Sequence, residues 1–139
     1  MVSGVNAINY ASNPIVRTQA VQSLNQQREE NRKALIDKNY HDIFVHESAH
    51  KAAGGPLAGA IIIETNEDGI PVGGHVAIMM PVLDVENPQK TINDANTVVR
   101  AAMAPADPSN QDFRVAAQAR NIRSQAEDVK QKKRLDYIA

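Results

Sequence analysis

The stretch His46-Glu47-Ser48-Ala49-His50 constrains this 139-residue chain more than any other, because its chemistry exists only if those residues are helical. Histidines four apart stand one above the other on a single helical face. Two imidazoles so placed can share one metal ion, and a Glu beside the first is positioned to take a proton from a metal-bound water. The pattern is short enough to arise by accident, so its surroundings have to decide whether it is a site.

Those surroundings favour one. Upstream, Leu35, Ile36, Tyr40, Ile43 and Phe44 recur at helical spacing and run into the motif, which predicts a core-facing stripe continued by His46, Glu47 and His50. Downstream, Gly54-Gly55-Pro56 stops the helix, since Gly accepts a left-handed conformation and Pro cannot continue. Polar side chains on an apolar face cost free energy unless they are paired or bound to a metal.

Composition narrows the chemistry. The chain is of single-domain length, and its formal net charge of −1 argues against a dominant nucleic-acid role. Cys is absent, so a metal must be held by His and carboxylates. No apolar run approaches the roughly 20 residues that span a bilayer, and no basic segment followed by an apolar one opens the chain. Cytoplasmic residence is therefore the default expectation, with export that needs no cleaved signal left open. Aromatics are 4% and Trp is absent, so the core is expected to be small and built from Ala, Val, Ile, Leu and Met.

In chain order, residues 1–20 are rich in Asn, Ser, Gln and Thr without a sustained period and read as a flexible tail. A single domain is expected over 21–129, opening with a helix from Val21 to Ala53 that has a break near Asp37 to Asn39. Its polar half, Gln26 to Lys33, is expected to be solvated or to lie on a protein partner. Ala60 to Thr65, the turn Asn66-Glu67-Asp68-Gly69, and Ile70 to Met80 read as a β-hairpin, with Gly73-Gly74 marking a bulge or a close backbone approach. Val76, Ile78 and Met80 share one face of the second arm; His75, Ala77 and Met79 share the other.

Asn87-Pro88 caps a further helix that buries Ile92, Ala95, Val99, Ala102 and Met103 and stops at Ala104-Pro105. Ser109 with Asp112 makes a capping arrangement for a last helix with the stripe Val115, Ala119, Ile122, Ala126 and Val129. Residues 130–139 form its basic end, read as solvated. The fold class expected is α+β: a long helix carrying the motif, one β-hairpin and two C-terminal helices.

A catalytic zinc normally has three protein ligands and an open position. The metzincin extension needs Gly at position 53 and His at position 56, where this chain has Ala53 and Pro56. His41 is turned about 140° from His46 round the helix, which removes it from the same ion. His75, directly after Gly73-Gly74, is the preferred third ligand; Glu64, Glu67, Asp84, Glu86 and Asp112 are weaker alternatives. The metal set expected is His46, His50 and His75, with Glu47 as the general base.

The run from His46 to Gly59, then Asp68-Gly69, Val72-Gly73-Gly74, Asn87-Pro88 and Ala102 to Asp112, resembles the SprA-related family of small bacterial proteins regarded as zinc metallopeptidases from their HExxH motif. The resemblance covers roughly residues 40 to 120. It implies a Zn2+-dependent peptidase acting on a peptide or protein substrate. In the family pattern Glu usually follows the Gly pair where this chain has His75; both are competent zinc ligands, so the departure is consistent with a change from His-His-Glu to His-His-His. The alternative is a non-catalytic interaction or scaffold protein whose metal site is structural or vestigial, since few residues are left over for a substrate-recognition lobe.

Overall fold

Asn13 and Pro14 start the first element. The Asn13 side chain accepts the amide of Ile15 at 2.9 Å and Pro14 occupies the first turn, where its missing N–H costs nothing. The computed structural model of the chain describes residues 13–138, and helix α1 (Pro14–Gly54) is unbroken over 41 residues. Two expectations change here. Residues 14–20, read as tail, are helical and Asn13 is their cap; residues 1–12 of that tail lie outside the described residues. The break near Asp37 to Asn39 is absent, because no Gly or Pro interrupts the segment and Lys38 bridges to Asp42 one turn on at 2.8 Å.

Strands β1 (Ala58–Thr65) and β2 (Pro71–Ile78) form the hairpin in antiparallel register, with Ile62 opposite His75 and Ile63 opposite Gly74. Asn66 builds the turn: its side chain accepts the amides of Asp68 and Ile70, and Gly69 takes φ 75°. Three α1 side chains tie the hairpin lengthwise to the helix. Arg32 donates to the Asp68 carbonyl at 2.7 Å, Asn39 to Pro71 at 3.0 Å and Lys51 to Gly59 at 2.7 Å. Val76 and Ile78 turn inward, while His75 and Ala77 are exposed, as the strand period of two requires.

Helices α2 (Pro88–Ala102) and α3 (Asn110–Ile138) complete the α+β arrangement. They pack through small residues: Ala95, Val98, Ala101 and Ala102 on α2 and Ala116, Ala119 and Ala126 on α3 are all buried. Arg123 on α3 donates to Asn96 on α2 at 2.8 Å. The expected core stripe of α1 is half right. Ile36 and Ile43 are partly covered, but Leu35, Tyr40 and Phe44 stay 43–49% exposed, the two rings stacked on each other at 5.9 Å. A two-stranded hairpin is too narrow to cover the whole stripe. No helix among the described residues is long and apolar enough to cross a membrane.

The hairpin docks where side chains are missing. A Cβ on Gly74 would stand 2.6 Å from Ile43 Cγ2, 3.0 Å from the Ile62 carbonyl oxygen and 3.1 Å from Glu47 Cγ, whereas one on Gly73 would meet nothing closer than 3.9 Å. Gly74→Ala is therefore expected to destabilise the chain by about 1–3 kcal/mol in urea or thermal unfolding, and Gly73→Ala to stay within about 0.5 kcal/mol of the parent.

Candidate metal centre

The end of α1 and the start of α3 meet at three donor side chains. His46 and His50 are one turn apart, and their Nε2 atoms lie 3.2 Å from each other. Asp112 comes from the first turn of α3: its Oδ2 is 3.4 Å from His46 Nε2 and its Oδ1 is 3.2 Å from His50 Nε2. His46, His50 and Asp112 each offer one donor atom within 4.8 Å of the others and could hold a metal ion.

The surrounding bonds orient these groups before any ion arrives. His50 Nδ1–H donates to the Ala101 carbonyl at 2.8 Å at the end of α2, so a neutral His50 presents the lone pair of Nε2 to His46 and Asp112. Asp112 Oδ2 also accepts the Ser109 amide at 2.7 Å, and the Asp112 amide donates to Ser109 Oγ at 3.1 Å. This is the capping box expected from the sequence. It anchors the helix and aims the carboxylate at the imidazole pair.

Glu47 is 6% exposed and packs its Cγ against Gly74 of β2. Among the described residues no hydrogen bond or ion pair engages its carboxylate. No fully buried side-chain oxygen or nitrogen among the described residues lacks a partner, so the Glu47 oxygens reach the open cleft that His46, His50, Asp112 and β2 enclose, about 390 Å³ in volume. Such a carboxylate keeps its lone pairs free to accept a proton.

His75 is placed differently from the expectation. It borders the cleft, but it lies on the exposed face of β2 and its Nδ1 is 3.3 Å from Glu64 Oε1 across the hairpin. The structure does not bring it into the group formed by the other two histidines. The third donor near them is Asp112, one of the weaker alternatives by sequence because a carboxylate is more often simply solvated. His41 is exposed and stands outside the group, as its helical phase requires.

The SprA-related family matches residues 8–139. The chain belongs to that family. The match runs well past residues 40 to 120, so the first helix and the basic end are part of the SprA-related pattern rather than additions to it. No curated protein and no solved structure matches the chain.

If the three donors act together, a divalent metal at about a hundredfold excess over its Kd stabilises the fold by about 2.7 kcal/mol, a rise in Tm of about 10 °C for a chain of this size. Differential scanning calorimetry with and without zinc is expected to show this rise for the parent and for His75→Ala. It is expected to vanish in His46→Ala, His50→Ala and Asp112→Ala, while Ser109→Ala, which removes the cap alone, keeps most of it.

Proposed function

We propose that this chain is a zinc-dependent peptidase in which His46, His50 and Asp112 hold the ion and Glu47 is the general base. The observation that carries the reading is the donor spacing beside an unengaged carboxylate. Ligands about 2.0–2.1 Å from a tetrahedral zinc stand about 3.3–3.4 Å apart, whereas those of an octahedral ion with similar bonds stand about 2.9–3.0 Å apart. The two imidazole nitrogens, 3.2 Å apart, lie nearer the tetrahedral figure, and Asp112 sets a different carboxylate oxygen 3.2–3.4 Å from each. That pair spacing and a donor set of two His and one carboxylate suit a tetrahedral zinc.

Zinc, when bound, supplies Lewis-acid polarisation and lowers the pKa of a coordinated water toward neutrality. The rest belongs to the chain. Glu47 takes a proton from the attacking water as its oxygen bonds to the peptide carbonyl carbon, then returns that proton to the leaving nitrogen as the C–N bond breaks. Gly74, Val76, Ile78 and Val115 line the cleft beside Glu47 and give it apolar walls, a low-dielectric setting that strengthens the carboxylate's interaction with the transferred proton. His50 stays in one tautomer through Ala101, so a bare nitrogen faces the ion throughout.

A second reading draws on one feature: most of α1 before the hairpin is exposed, a surface that a non-catalytic interaction protein with a structural metal would use. Glu47→Gln separates the two. Hydrolysis of a peptide library by the zinc-loaded parent, a loss of at least about 10³-fold in kcat/KM for Glu47→Gln and an unchanged one-to-one zinc content support the peptidase. An uncleaved library, or equal turnover by the variant, removes it.

A further inference from the structure

The outer edge of β2 runs along the cleft, and its backbone groups point into it. Met79 donates its amide to the Leu57 carbonyl at 2.8 Å, on the β1 side of the strand. Backbone direction alternates along a strand, so the N–H and C=O groups of Ala77 and His75 face β1 as well, and those of Gly74, Val76 and Ile78 face away. The same three residues line the cleft beside His46, Glu47, His50 and Asp112. The sheet has two strands only, so no strand among the described residues pairs with that edge.

Edges left open are normally blunted by charge, Pro or a covering element. From Gly74 to Ile78 the strand has no Pro, Lys, Asp or Glu, and no backbone hydrogen bond outside the hairpin engages Gly74, Val76 or Ile78 among the described residues. The edge spans about 13 Å at 3.3 Å per residue, the reach of four or five extended residues. A cleft of about 390 Å³ admits a few side chains of such a segment and not a folded domain. Val76, Ile78, Met80, Ala102 and Val115 make its walls apolar, and Glu47 and Asp112 are acidic, which favours uncharged apolar side chains and disfavours acidic ones.

We infer that an extended, apolar peptide segment pairs with the outer edge of β2 as a third strand, which lays its backbone alongside Glu47 and the three donors. The inference rests on the peptidase reading and names the conformation and class of its substrate. Gly74 contributes twice: its missing side chain lets β2 sit on Glu47, and its outward amide is the first rung of the edge. The backbone ladder gives affinity without regard to sequence, and the apolar walls select the side chains that alternate along it.

The test uses the zinc-loaded full chain and a peptide probe, acetyl-Leu-Val-Leu-hydroxamate, with acetohydroxamate as the zinc-binding group alone. The peptide probe is expected to bind at least about tenfold more tightly than acetohydroxamate by calorimetry. N-methylation at amides facing β2 is expected to weaken it about three- to tenfold, and at the alternate amides less than twofold. In nitrogen-15 NMR the Gly74, Val76 and Ile78 amides should shift with the peptide probe and not with acetohydroxamate. Equal losses at every amide, no gain over acetohydroxamate, or no binding by either probe would overturn the proposal. Cleavage of a peptide library without the alternation sinks the edge and leaves the peptidase standing. Alternation with an uncleaved library keeps the edge and removes the peptidase.

Discussion

Asp112 accepts the Ser109 amide with one carboxylate oxygen and faces the paired imidazoles of His46 and His50 with both, so the beginning of α3 and the geometry of the site are one object. Burying these groups is costly. The His50 side chain is 6% exposed and that of Asp112 15%, and buried polar groups that lack strong partners destabilise a fold by a few kcal/mol each. The chain offsets that cost locally through the Ala101 carbonyl and the Ser109 amide. The remaining lone pairs lie close together, an arrangement that a divalent cation stabilises further and that its removal leaves mutually repelling.

Everything else serves to bring that group within reach of Glu47. The core has few large side chains; Ala95, Ala101, Ala102, Ala116, Ala119 and Ala126 are buried, and small residues let α2 and α3 approach closely enough that their ends frame the site. Gly54 and Gly74 do the same for the hairpin, which would otherwise be held off α1 by Ala58 and Ile43. The consequence is a carboxylate enclosed on its apolar side and open toward the cleft. A carboxylate held largely buried with no protein partner lowers stability relative to a fully solvated one, and such costs are commonly found where a residue is kept ready for chemistry.

Much of this was legible in the residues. The period-two run of β2 and the turn chemistry of Asn66 to Gly69 gave the hairpin, and Asn87-Pro88 gave α2. The capping box gave the start of α3. The same Asn-Pro signal at Asn13-Pro14 also marks the true start of α1, but the first turns after it are largely exposed and disguise a helix whose apolar stripe begins only at Leu35 and Ile36. Asp112 was obscured for a different reason: a carboxylate is more often simply solvated than a ligand. Only the tertiary approach of α3 to α1 shows that the cap and the donor are the same carboxylate. His75 attracted attention through the Gly pair before it, yet the strand period already set it opposite in facing to Val76, which the core claims. Single-sequence patterns report faces and ends of elements; they do not report which ends meet.

Anomalous diffraction at the zinc edge, from crystals of the zinc-loaded chain, addresses the central claim most directly. The account predicts one strong peak within about 2.0–2.2 Å of His46 Nε2, His50 Nε2 and an oxygen of Asp112, with His75 still beside Glu64 and the Glu47 carboxylate unliganded. A peak coordinated by His75 with Asp112 engaged only by Ser109, or a fourth protein ligand closing the site, would contradict it.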